Sequence, residues 1–132
     1  MDYLFDTNII TAILKKDKRI QKKLRDINLQ AEIWMSGITY YEIKRGLLAT
    51  QASRKIAEFE ELSQEIGVIV PDLGILEKAA EIYADLKPQG KLLEDADIII
   101  AATAISKQLI LISNDSDLLK VQQLILENWF NP

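Results

Sequence analysis

Cysteine and histidine are both absent from this chain of 132 residues. The first absence excludes disulfides and thiolate metal sites. The second argues against a zinc site of the hydrolase kind, which leans on imidazole ligands. No apolar stretch reaches the roughly 18 residues of a membrane span. The longest clear run, Ile98 to Ile105, is broken by Thr103 and flanked by acids. No basic segment followed by an apolar one opens the chain, so no secretory signal is read there. A cytoplasmic protein is the expectation. Breakers are few, and Lys87-Pro88-Gln89-Gly90 is the clearest cluster of them. Repeats, low-complexity tracts and long linkers are missing too, so residues 1–132 read as a single domain with one core.

Positive charge is also in short supply. Twenty acidic residues outnumber sixteen basic ones, for a net charge of −4. A protein whose whole surface grips nucleic acid is usually basic, which argues against a simple binding module. A metal-dependent enzyme remains compatible, because the ion neutralises several acids. The basic residues are uneven: Lys15, Lys16, Lys18, Arg19, Lys22, Lys23 and Arg25 crowd one stretch. Either they form the solvated face of a helix or they contact a phosphate backbone.

Short, wholly apolar segments alternate with helical patterns. Residues 2–6 read as a strand, followed by a helix to about Leu14 that Asp6 or Thr7 caps. A second helix is expected from Lys18 to about Leu29, then a strand from Ala31 to Met35. Ser36 or Thr39 caps the next helix, and another runs from Ser53 to Ile66 and stops at Gly67. Val68-Ile69-Val70 is a strand ended by Pro71. Asp72 to about Leu86 is helical, with Leu76, Ala79, Ala80 and Tyr83 inward. Asp95 caps a strongly apolar helix to about Lys107, which puts Asp97 at its second position. Leu109 to Ile112 is a strand, and the last strand lies near Leu124–Leu126. Such alternation indicates an α/β fold with a mostly parallel sheet covered on both faces.

Ligands gather at the carboxyl ends of strands in such sheets. Asp6 and Asp115 follow apolar strands on that side, while Glu42 and Asp97 sit where helices begin. Each has a plain structural role available. Asp6 can cap its helix, Glu42 and Asp97 can complement helix dipoles in a first turn, and Asp115 can make a turn. Together they repel one another, and their pKa values rise unless a cation compensates. Mg²⁺ or Mn²⁺ suits an all-oxygen ligand set. Such an ion activates water and holds a phosphate oxygen, so phosphodiester hydrolysis fits best.

These segments resemble the PIN-domain family, in particular its VapC-like toxin ribonucleases. Tyr3-Leu4-Phe5-Asp6-Thr7-Asn8 is similar to the family's opening motif, and Thr39 to Leu47 to its second. Asp97-Ile98-Ile99-Ile100-Ala101-Ala102-Thr103-Ala104 resembles the third, the most specific of the set. Leu111-Ile112-Ser113-Asn114-Asp115 resembles the fourth, with Ser113 where threonine is commoner and Leu118 where an aromatic is frequent. The stretch from Leu124 to Trp129 is similar to the family's closing strand and Asn-Trp ending, so the likeness spans essentially the whole chain.

The resemblance implies a three-layer α/β/α sandwich with four or five mostly parallel strands. It implies Mg²⁺- or Mn²⁺-dependent endonucleolytic cleavage of single-stranded or structured RNA. Asp6, Glu42, Asp97 and Asp115 become the acidic quartet, with Asp6 and Asp97 as direct metal ligands. Glu42 and Asp115 either bind the metal through water or orient and deprotonate the attacking water. Thr7, Asn8 and Ser113 support them. Either Asp115 or Asp117 completes the set, and Glu94, one turn before Asp97, also faces the site. A VapB-like antitoxin is the implied partner, pairing a cation with the carboxylates and touching the helices around Ile38–Leu48 and Phe59–Leu62. A homodimer with a shared groove accounts for RNA binding by an acidic chain. The competing readings are a PIN nuclease of housekeeping RNA processing, a response-regulator-like Mg²⁺ domain, and a catalytically silent acidic scaffold. The response-regulator reading wants an Asp-Asp pair after the first strand and a lysine soon after the last. Only Asp6 and the distant Lys120 are present.

Overall fold

Three consecutive apolar residues, Tyr3–Phe5, form β1, the middle strand of a five-stranded sheet. The computed structural model describes residues 1–27 and 29–131. The other strands are β2 (Ile33–Ser36), β3 (Val68–Ile69), β4 (Ile110–Ile112) and β5 (Leu126–Glu127). Their order is β3-β2-β1-β4-β5, and every pairing is parallel. Six α-helices accompany them: α1 (Thr7–Leu14), α2 (Lys18–Asp26), α3 (Gly37–Ala49), α4 (Ser53–Ile66), α5 (Leu73–Leu86) and α6 (Asp95–Ser106).

Alternation along the strands divides the apolar residues between two faces. Leu4 and Leu111 join the buried faces of α5 and α6, which supply Ile75, Ala79, Ile82, Leu86, Ile98 and Ala101. Phe5, Ile110 and Ile112 point the other way, against Ile9 and Ile10 of α1, Ile20 of α2 and Phe59 of α4. This is the three-layer α/β/α sandwich that the sequence suggests. Trp129 closes the second core, meeting Tyr3 and Phe5 edge-on at 5.5 and 5.2 Å between ring centroids. Among the described residues, no helix is long and apolar enough to cross a membrane.

Several expected details shift. Helix α2 stops at Asp26; its expected continuation through Asn28 lies outside the described residues, and Leu29 is solvent-exposed. The inward face of α5 is Ile75, Ala79, Ile82 and Leu86, while Leu76 and Tyr83 are exposed. An i, i+4, i+7, i+11 track carries the larger apolar volume, so it wins the core. The last strand is Leu126–Glu127, two residues later than expected, where Leu126 and Glu127 pair with Leu111 and Ile112 of β4. Phe59, expected on a partner-facing surface, is fully buried.

Gly67 ends α4 with φ +73° and ψ 157°, a conformation essentially restricted to glycine. A Cβ there would lie 2.7 Å from the Trp34 ring, so the α4–β3 connection can close over Trp34 only without a side chain. Gly67→Ala is expected to cost about 2 kcal/mol or more through backbone strain and this clash. Urea unfolding of the two proteins measures it.

Candidate active site

The chain runs outward from β1 through β2 to β3, then returns to place β4 on β1's other side. The sheet therefore has its switch point between β1 and β4, where crevices form at strand carboxyl ends. Asp6 leaves β1 and Ser113 leaves β4 at that point. The backbone N–H of Asp6 still donates to the Ile112 carbonyl at 3.0 Å, so the two loops start side by side.

Asp6 is buried. Its Oδ1 accepts the Thr7 N–H at 2.8 Å, the helix cap expected of it. Its Oδ2 accepts the Ser113 hydroxyl at 2.7 Å and the Asn8 amide at 3.2 Å. Asn8 also donates to Ser113 Oγ at 3.2 Å, and its Oδ1 accepts the Asn114 N–H at 3.2 Å. Ser113 Oγ further accepts the Asp115 N–H at 3.0 Å. Thr7, Asn8 and Ser113 thus hold the two loops and the carboxylate in one network. Burial still lifts the Asp6 carboxyl above its ordinary value; the bonds from Ser113, Thr7 and Asn8 oppose that rise, and the Asp115 charge adds to it.

Asp97 is raised as well, to about 6. Burial is the first cause, followed by the charges of Asp6, Asp115, Glu94 and Glu42. The four acids singled out in the sequence, with Glu94, therefore share one electrostatic neighbourhood. Two placements differ from expectation. Glu94 rather than Asp95 is the N-cap of α6, so Asp97 is the third helical residue. Glu42 lies in the second turn of α3, which begins at Gly37 and is capped by Ser36, so it does not complement the dipole of a first turn. Between the two candidate acids beyond β4, Asp115 acts on both Asp6 and Asp97. Asp117 is exposed and pairs with Lys120 at 3.5 Å, while its N–H donates to Asp115 Oδ1 at 2.9 Å.

Thr39 is the residue that sequence reading treated only as a capping candidate. It is fully buried, with its Oγ1 3.0 Å from Thr7 Oγ1. Thr7 donates to Glu42 Oε1 at 3.2 Å, so its own proton is committed and Thr39 supplies the proton between the hydroxyls. A hydroxyl pair, Thr39 buried and Thr7 half-buried, thereby orients Glu42. The signal available was spacing alone: Thr39 precedes Glu42 by one helical turn.

All donors here are carboxylate, hydroxyl or amide groups, the chemistry a hard divalent cation prefers. The raised Asp97 and Asp6 give such a cation a charge burden to relieve, so the residues fit Mg²⁺ or Mn²⁺. Among the described residues, no three acids are already gathered as a ready ligand set.

The PIN domain family matches residues 3–124 of this chain. Ribonuclease VapC2 of Haemophilus influenzae is 33% identical over 132 residues, covering 98% of each chain. A ribonuclease VapC1 of the same species is 29% identical with the same coverage. Among solved structures, VapBC-1 from nontypeable Haemophilus influenzae superposes with a TM-score of 0.88 at 26% identity, covering 98% of this chain and 99% of that one. VapBC2 from Rickettsia felis, bound to a promoter DNA fragment, reaches 0.91 at 22% identity with the same coverage, a likeness of fold.

The raised Asp97 sets a pH expectation for the metal-free protein. Its folded value of about 6 exceeds the ordinary 3.8, so its charged form costs folding free energy above about pH 6. That cost is relieved as pH falls through 6 toward 3.8. At a half-exposed site it is on the order of 1 kcal/mol after solvent screening. The melting temperature is expected to rise between about pH 7.5 and pH 5, and Asp97→Asn to flatten that rise. Thr39→Val, which replaces the hydroxyl by a methyl, is expected to lose about 1 kcal/mol of stability, with Thr39→Ser restoring most of it in the same denaturant assay.

Proposed function

We propose, from the premise that the chain belongs to the PIN-domain family, that it is a divalent-metal-dependent endoribonuclease and the toxin of a VapBC-like toxin–antitoxin pair. The observation that carries this reading is the position of Asp97, raised to about 6 by burial and by Asp6, Asp115, Glu94 and Glu42. The ribonuclease names of relatives covering nearly the full chain support the reaction class, and the VapBC complexes support the antitoxin partner. The setting is the cytoplasm, where RNA and antitoxin meet the protein, and the working unit is a homodimer joined by the antitoxin.

Asp6 and Asp97 hold Mg²⁺ or Mn²⁺ directly in this reading, with Asp115 and Glu42 completing the set directly or through water. The bound ion supplies a Lewis acid toward a phosphate oxygen and a water of lowered pKa. The chain's own residues do the rest. Ser113, Asn8 and the Thr7 N–H keep both Asp6 oxygens fixed, so the ligand enters the reaction without reorganising. Glu42, oriented by Thr7 and Thr39, accepts the proton of the attacking water. Glu94 at the N-cap of α6 adds negative potential that strengthens cation binding and keeps the phosphate chain outside unless an ion is present.

The test is cleavage of a mixed RNA pool by the full chain with Mg²⁺, Mn²⁺ or excess EDTA. Cleavage is expected with either metal and none with EDTA. Asp6→Asn and Asp97→Asn are expected to lose more activity than the roughly 10–100-fold that follows removal of a supporting contact, the range expected for Ser113→Ala. Saturating Mn²⁺ is also expected to raise the melting temperature, by about 2.7 kcal/mol of stabilisation at a hundredfold excess over Kd. Asp97→Asn removes that rise. EDTA-resistant cleavage, or Mn²⁺ stabilisation that survives Asp97→Asn, overturns the metal assignment. A small adjacent reading frame for a DNA-binding protein is expected beside the gene, and its absence counts against the toxin role.

A further inference from the structure

A groove of about 290 Å³ opens directly beside Glu42 and Thr7, between α1 and α3, with the start of α4 at its edge. Thr11, Leu14, Ile43 and Leu47 line it together with Gly46, and two exposed lysines, Lys15 and Lys55, complete it. A Cβ on Gly46 would meet nothing within 4 Å, so this part of the lining is open. Three other cations of α2, α3 and α4 are already engaged. Arg19 pairs with Asp17 at 2.9 Å and lies over the Phe130 ring, Lys44 pairs with Glu60, and Arg54 pairs with Glu58 at 3.5 Å. Lys15 and Lys55 have no acidic partner within salt-bridge distance among the described residues.

Helix stability does not account for Lys55. It is the third residue of α4, whose first turn holds no acid and whose N-cap, Ala52, makes no side-chain bond. A cation there opposes the helix dipole. Lys15, at the C-cap of α1, does suit its dipole, yet its side chain also lines the groove. An apolar lining flanked by unpaired cations, continuous with the proposed catalytic groups, suits one nucleotide of single-stranded RNA: its base packs on the aliphatic Leu14, Ile43 and Leu47 rather than on an aromatic platform, and the adjoining phosphates meet the lysines. A protein carrying a cation toward the carboxylates would meet like charge here.

We propose that this groove is the subsite for the nucleotide next to the scissile phosphate, with Lys15 and Lys55 as its phosphate contacts. The assignment rests on the endoribonuclease reading above. It also explains how a chain of net charge −4 holds a polyanion beside an acidic site: the attraction is local.

The test uses the full chain in an Asp6→Asn background, to slow turnover, with a short fluorescein-labelled single-stranded RNA of mixed sequence. Anisotropy gives Kd across a salt series. Lys15→Gln and Lys55→Gln are each expected to weaken binding about fourfold at physiological salt and to reduce the slope of log Kd against log salt by about 0.7. Lys22→Gln, on the exposed part of α2, is the control for diffuse charge. Unchanged Kd and slope in the Lys15→Gln/Lys55→Gln double variant overturns the subsite and leaves the groove to a protein partner, as does an equal loss in Lys22→Gln. Cleavage by the parent chain separates the two readings. If it cleaves RNA but binds independently of both lysines, only the subsite fails; if it neither cleaves nor binds RNA, both fail.

Discussion

A carboxylate is buried at the one place where neighbouring strands of the sheet lead the chain in opposite directions, and the rest of the site depends on it. Asp6 loses water on leaving β1. That loss is tolerated because three donors converge on it, from its own helix, from Asn8 and from Ser113 across the switch point. The same bonds tie the β1 and β4 loops together. Asp115 is set by the Ser113 hydroxyl, and Asp97 feels both charges. Removing the negative charge of Asp6 would therefore loosen the frame and change the electrostatics together.

The two cores explain why this frame is firm. Because β1 is central, Leu4 faces one helical layer and Phe5 the other. Asp6 comes next, where the strand emerges from both. Its backbone is fixed by packing on both sides, independently of its side-chain bonds. Trp129 adds a clamp from the far end of the chain on Tyr3 and Phe5. The catalytic reading asks for a carboxylate that does not reorganise, and the fold supplies that through packing rather than through the site itself.

Much of this was legible in the residues. Wholly apolar triplets such as Tyr3-Leu4-Phe5 and Ile110-Leu111-Ile112 announce strands covered on both faces, and polar residues directly after them mark the crevice side. What escaped was anything decided by competition in three dimensions. Leu76 and Ala80 are as apolar as Ile75 and Ala79, and the tracks part only further along, where Ile82 and Leu86 add apolar volume that packs against α6. The α6 boundary moved by one residue because Glu94 takes the cap conformation without using its side chain. Thr39 gave no sign of its bond to Thr7, a contact across 32 residues. Lys15 caps α1 and Lys55 belongs to α4, and their convergence is a property of how α1 and α4 pack.

The β1–β4 pairing also has a meaning in time. The strand beside Asp6 and the Ser113 hydroxyl that binds it follow it by more than a hundred residues in the chain. Vectorial folding can dock the preceding helices against β1 and β2, but the edge where β4 belongs stays open until β4 itself has been made. Asp6 and Asp115 are thus kept apart until β4 has been made. A chain still lacking β4 therefore cannot bring Asp6 and the Ser113 hydroxyl together.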